Sequence, residues 1–165
     1  MFNLMRSFWI LVFVFSSPVF AHDYQSGHLL IEHPHAVKPV PGVDVTAGYL
    51  RITNNGSAPE RLLAATAEFA KKSRLHRTEI VDGVAKMRSI PASEGILIPP
   101  GETVLLDQGG LHLMFSGVSE DFDIGQLRAA RLLFDTAGTI EVEFVVVDPA
   151  DLDEEPPTDH STHSN

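Results

Sequence analysis

The stretch LHRTEIVDGVAKMRSI, residues 75–90, consists of two β-like runs separated only by Asp82 and Gly83. An Asp-Gly pair between such runs is a strong signal for a hairpin with a two-residue type I′ turn. That turn sets the register of the two strands. The predicted pairs are Val81 with Val84, Thr78 with Met87 and His76 with Ser89. Because side chains alternate along a strand, His76 and Met87 are predicted to lie on one face as diagonal neighbours, about 7 Å apart.

Similar short runs recur from residue 28 to about residue 147, with turn signals between them. Asn54-Asn55-Gly56, Pro99-Pro100-Gly101 and Gly109-Gly110 are examples of those signals. A spacing of roughly 8 to 12 residues between turns is typical of an all-β sandwich or barrel. We therefore expect one all-β domain over residues 22–150.

Both ends of the chain differ from this core. Residues 1–21 have an early arginine, the apolar run FWILVFVF at 8–15 and small residues up to Ala21, which predicts a secretory signal peptide cleaved after Ala21. The apolar run is too short to span a bilayer, so no stable membrane insertion is expected. Residues 151–165 are acidic and contain proline and histidine but little apolar surface, which predicts a disordered tail.

Charge and cysteine content exclude several kinds of function. The formal net charge of −10 makes nucleic acid and anionic membranes poor partners. The chain has no cysteine, so we expect no disulfides, no thiolate metal site, no thiol redox chemistry and no lipid-anchored lipoprotein.

A second histidine and methionine pair occurs in GGLHLMFSG, residues 109–117. Alternation places His112 and Met114 on one face of a strand, while the leucines and phenylalanine between and beside them pack the core. A single histidine or methionine on a strand is more often a core or rim residue than a ligand. Here, however, both methionines that remain after cleavage of the signal peptide have a histidine nearby on the same face.

Two imidazoles and two thioethers are suited to copper. Thioether sulfur is soft and neutral, and it binds Cu(I) well but zinc, magnesium and calcium poorly. A blue-copper electron-transfer site needs a cysteine thiolate, which this chain lacks. The residues therefore predict a Cu(I) site made of His76, Met87, His112 and Met114, with no anionic ligand and hence reversible binding.

These residues also resemble a known family, the periplasmic copper chaperones called PCu(A)C, whose motif is His, ten residues, Met, a gap of about twenty residues, and His-x-Met. Ten residues separate His76 from Met87, and HLM at 112–114 supplies the rest. The segments IPPGETVLLDQGGLHLMFSG, TAGTIEVEF and AGYLRITNNGSAPERLLAA are similar to the family's core segments. Two features depart from the family pattern. Arg77 stands where some members have Met, and 24 residues separate Met87 from His112.

The resemblance implies a cupredoxin-like Greek-key β-sandwich or barrel and a non-enzymatic role in the periplasm. It implies that the chain carries copper towards the binuclear copper centre of cytochrome c oxidase. The implied partners are the copper-bearing oxidase subunit or a Sco-type thiol protein.

Other histidines could form secondary sites. His160 and His163 in the acidic tail could bind Cu(II) together with carboxylates, and His22 could do so with the new α-amine after cleavage. His33 and His35 flank a proline that predicts an edge strand or a bulge, and we expect them to be structural or surface residues.

Three other functions remain open on the residues alone. The first is a copper buffer or resistance protein that sequesters copper without a dedicated acceptor. The second is a copper oxidoreductase or dismutase, which would normally need more histidine ligands. The third is a β-sandwich adhesion module in which the histidines and methionines are incidental.

Overall fold

A computed structural model describes residues 23–118 and 122–153. Eleven strands and a short 3-10 helix make up the described chain. The strands are β1 Tyr24–Ser26, β2 Leu29–Val37, β3 Val45–Asn54, β4 Glu60–Ala67, β5 Ala70–Val81, β6 Val84–Ile90, β7 Ile96–Ile98, β8 Thr103–Leu106, β9 Leu111–Val118, β10 Leu127–Phe134 and β11 Thr139–Val147. The 3-10 helix Pro149–Asp153 extends regular structure three residues into the segment predicted as a tail. The predicted signal peptide, and the tail beyond residue 153, lie outside the described residues.

The strands form one hydrogen-bonded sheet in the order β6-β5-β9-β8-β3-β2-β11-β10-β4-β7, and β1 is added beside β2. Most neighbours are antiparallel, whereas β11 runs parallel to β2 and β8 parallel to β9. The sheet curls onto itself. As a result, Phe115 of β9 and Phe144 of β11 meet edge to face across the core, with ring centroids 5.7 Å apart. The all-β prediction is confirmed. No helix in the described ranges is long and apolar enough to cross a membrane.

Local sequence signals determine the β5–β6 hairpin. Asp82 and Gly83 have φ values of 56° and 77°, and positive φ at both positions is the requirement of a type I′ turn. Thr78 pairs with Met87 as predicted. Leu75 and Ile90 form the buried pair at the base of the hairpin, and all of the residues between them, 76–89, are at least partly exposed.

The proline between the two histidines of β2 marks a bulge, as the sequence predicts. The pairing of β2 with β3 shifts between Glu32 and His35, and His33 has a φ of 50°. A bulge breaks the simple alternation of side chains. His33 is consequently exposed, while Pro34 is buried.

A buried carboxylate, that of Glu60, links β4 to the turn between β10 and β11. Glu60, at the start of β4, is 1% exposed. Its oxygens accept hydrogen bonds of 2.9 Å from the backbone N–H groups of Arg61, Thr136 and Ala137. Glu60 therefore fastens β4 to the turn between β10 and β11.

Candidate metal centre

The two strands that carry the predicted ligands are direct neighbours. Strand β5 pairs antiparallel with β9, and this register places His76 opposite His112. Their imidazole centroids are 5.6 Å apart with an interplanar angle of 54°. The two histidines, far apart in the sequence, are therefore adjacent on one face of the sheet.

Both methionines lie on the same face as the two histidines. Met114 pairs with Arg74, two residues before His76, and Met87 pairs with Thr78, two residues after it. His76 is thus the centre of the group, directly opposite one predicted ligand and diagonal to the other two.

The two methionines occupy opposite corners of this group. On a flat sheet their Cα atoms would be about 16 Å apart, from the usual strand spacing and rise per residue. Binding of a single ion by both thioethers requires the twisted hairpin to bring Met87 over the imidazole pair. Met87 is 53% exposed and lies at the rim, whereas Met114 is half-buried.

The imidazole nitrogens of this pair are buried and largely unpaired. The carbonyl of Gly110 accepts a hydrogen bond of 3.2 Å from Nδ1 of His112, and it also accepts one of 3.0 Å from the backbone N–H of Thr78. Because a carbonyl can only accept, Nδ1 of His112 is the donor, and Nε2 is the ring nitrogen that this bond leaves for another partner. Within the described ranges, Nε2 of His112 and both ring nitrogens of His76 are buried without a hydrogen-bond partner. Buried polar atoms are nearly always paired, so this arrangement indicates a site for a further ligand.

The surroundings favour neutral imidazole. Burial lowers the pKa of His76, and the neighbouring His112 and Arg74 lower it further. A lowered pKa keeps the His76 ring uncharged near neutral pH, with a lone pair available for a metal ion.

The other predicted histidine sites differ in outcome. His22, His160 and His163 lie outside the described residues. His35 is satisfied, because its Nδ1 donates to the carbonyl of His33 at 2.9 Å and its ring lies 5.4 Å from that of Tyr49. In the part of the chain that the structure describes, no three His, Cys, Asp or Glu side chains converge on one point.

Two residues near the site were not singled out from the sequence. Arg74 pairs with Met114 and places a positive charge beside the ligands. Alternation from His76 puts it on the same face, so the sequence carried this signal. The role of Gly110, which acts through its carbonyl oxygen, follows from the pairing of β5 with β9 and has no side-chain signal.

A family model described as "LpqE-like: Putative lipoprotein LpqE-like" matches residues 29–146. The chain belongs to this LpqE-like family. One relative, "Putative lipoprotein Lxx21020" of Leifsonia xyli subsp. xyli, is 32% identical over 107 residues, which are 65% of this chain. The chain spans 63% of that relative's length. Both descriptions contain the word lipoprotein, whereas the present sequence has no cysteine.

Solved structures show the same fold. The "Copper-bound PCuAC domain from PmoF2" is 23% identical and has a TM-score of 0.65, and the match covers 78% of this chain and 99% of that one. The "Solution structure of CuI-DR1885 from Deinococcus Radiodurans" is 24% identical and has a TM-score of 0.59, with coverage of 77% and 81%. This LpqE-like chain therefore has the fold of PCuAC domains, so the fold that the motif resemblance implied is confirmed.

Proposed function

We propose that this chain is a copper chaperone that binds Cu(I) through His76, Met87, His112 and Met114. The observation that carries the proposal is the pair of facing imidazoles, whose three buried nitrogens have no partner among the described residues. Imidazole nitrogen and thioether sulfur together are the donor set that copper prefers.

The charge around the group favours Cu(I) over divalent ions. All four donors are neutral, and Arg74 adds a positive charge next to Met114. Since Coulomb repulsion scales with the charge of the ion, this environment opposes a divalent cation more than a monovalent one. Zinc, magnesium and calcium also bind thioethers poorly.

The solved relatives are consistent with this proposal. One matching PCuAC domain is described as copper-bound and another protein as its Cu(I) form. We extend copper binding to the present chain on the basis of its own ligand set.

We further propose that the chain works in the periplasm, to which its N-terminal segment directs it, and delivers Cu(I) towards the binuclear copper centre of cytochrome c oxidase. Delivery is to the copper-bearing subunit or to a Sco-type thiol protein. The exposed Met87 at the rim supports exchange with an acceptor, because an incoming donor can replace this ligand first. A buffer without an acceptor is the competing function.

The test is a Cu(I) competition titration of the exported protein and its single variants. We expect one tight Cu(I) per chain, with affinity at least tenfold weaker in each of His76→Ala, His112→Ala and Met114→Leu. His35→Leu, a histidine that is already hydrogen-bonded, is the matched control and should leave the affinity unchanged. Wild-type affinity in the histidine variants would refute the site. A rate of transfer to an apo oxidase domain no faster than exchange through free chelator would favour the buffer.

A further inference from the structure

Positive charge is concentrated in one part of this acidic chain. The net charge is −10, yet six of the 12 lysines and arginines lie within residues 71–88, in and beside the hairpin that carries His76 and Met87. Only Glu79 and Asp82 are acidic in that segment. The six are Lys71, Lys72, Arg74, Arg77, Lys86 and Arg88. A charge distribution of this kind steers association with partners of the opposite sign.

Strand β6 has an open edge. It is the terminal strand of the sheet and pairs with β5 only, so in the described part of the chain no strand covers its outer side. The N–H of Thr78 points to Gly110 of β9 and away from β6. Thr78 and Met87 therefore form a non-hydrogen-bonded pair, and the backbone groups of Met87 point outward. The same holds for Ala85 and Ser89, two residues on either side.

The two faces of β6 differ in chemistry. Ala85, Met87 and Ser89 lie on the face shared with His76. Lys86 and Arg88 lie on the opposite face. The Arg88 guanidinium is already ion-paired there with Glu94 at 3.2 Å and lies 3.7 Å from Glu79. Only the base residue Ile90 is buried in this strand. An exposed edge with these properties is a template for addition of another strand.

Charge disfavours a second copy of the same strand at this edge. Antiparallel self-pairing centred on Lys86, Met87 or Arg88 places Lys86 or Arg88 directly opposite another lysine or arginine. Like charges directly opposite each other destabilise a pair of strands. A strand with acidic residues at alternate positions would instead complement Lys86, while Arg88 shares its charge with Glu79 and Glu94.

We propose that the β6 edge is the docking surface for an extended, acidic strand of the protein that receives the metal. The acidic side chains of this strand lie on the face of Lys86, which is the cation that they neutralise. The intervening side chains lie beside Met87 on the ligand face, where soft donors could take over Cu(I). The proposal of a docking surface depends only on the geometry and charge of the hairpin, whereas metal transfer at that surface rests on the proposed function.

The probe is a synthetic eight-residue peptide that alternates Glu with Thr or Val, and the matched control peptide has Lys in place of each Glu. Each peptide is added to the metal-free exported protein at up to about 1 mM, a concentration at which weak binding is detectable. Amide hydrogen exchange of the protein is followed by NMR. We expect the Glu peptide to protect the amides of Ala85, Met87 and Ser89. Binding of the Glu peptide should weaken as salt is added, and its Kd should rise at least threefold in Lys86→Glu. The control variant Lys71→Glu should bind the Glu peptide at least twice as tightly as Lys86→Glu does.

Three outcomes would overturn the docking proposal: no protection at these amides, equal protection by the Lys peptide, or protection that depends only on protein concentration. The last outcome would identify a second copy as the occupant. Cu(I) titration separates this proposal from the function, because Lys86→Glu should retain wild-type Cu(I) affinity. Peptide docking without any Cu(I) binding would refute the function alone, and Cu(I) binding without docking would refute this inference alone.

Discussion

Replacing His76 by leucine should stabilise the metal-free protein while abolishing its response to copper. Both ring nitrogens of His76 are buried without a partner, and an unsatisfied buried polar atom costs about 1–3 kcal/mol. Leucine is of similar size and has no polar atom to satisfy. We therefore expect the free energy of unfolding of the metal-free variant to rise by about 1–3 kcal/mol.

The assay is thermal unfolding with and without Cu(I). For a domain of this length, each kcal/mol added to the free energy of unfolding raises Tm by about 3 °C. Saturating copper stabilises the wild type by about 4 kcal/mol at a thousandfold excess over Kd, and His76→Leu should lose most of that increment. The opposite signs of the two effects identify a residue retained for binding rather than for stability.

His35→Leu is the matched control for this experiment. His35 donates a hydrogen bond to His33 and packs against Tyr49, so its replacement should cost about 1 kcal/mol and leave the copper increment unchanged. Destabilisation of the metal-free protein by His76→Leu, equal to or greater than that of the control, would refute the reasoning, because His76 would then be a structural residue.

Three further predictions concern the rest of the chain. Burial raises the pKa of Glu60, but hydrogen bonds from the backbone of Thr136, Arg61 and Ala137 outweigh it and hold the pKa below the ordinary value of 4.5. The stability from ionised Glu60 is thus present above about pH 4.5 and lost as the pH falls through the lowered pKa. Glu60→Gln should cost about 2–4 kcal/mol in urea unfolding at pH 7 and reduce the acid dependence; unchanged stability at pH 7 would contradict this. Gly48→Ala should cost about 1–3 kcal/mol in the same assay, because its Cβ would lie 2.6 Å from Cε2 of Phe115, and a neutral result would show that the ring moves aside freely. Ending the chain at Asp153, which removes His160 and His163, should lower the Cu(II) stoichiometry in a metal titration without changing Cu(I) affinity; an unchanged Cu(II) count would eliminate the tail site.

Local features of the fold were predictable from the sequence. Asp82 and Gly83 determine their own backbone conformation, and alternation then places His76 and Met87 on one face. The bulge around Pro34 follows from the absent N–H of proline. In each case the deciding physics acts between residues close in the chain.

The pairing of β5 with β9 was harder to predict from the sequence. Sequence patterns predict that both strands exist, but packing of the whole core decides which strands become neighbours. The direct pairing of His76 with His112 was therefore found only in the structure. The burial of Glu60 has the same origin, because its partners Thr136 and Ala137 are distant in sequence.

X-ray absorption at the copper edge of the Cu(I)-loaded protein tests the central claim most directly. We predict a mixed shell of imidazole nitrogen and thioether sulfur, with the larger sulfur atoms at the longer distance. The sulfur contribution should disappear in a Met87→Leu, Met114→Leu double variant, while the nitrogen contribution remains. A shell of nitrogen or oxygen atoms alone in the wild type would contradict the account.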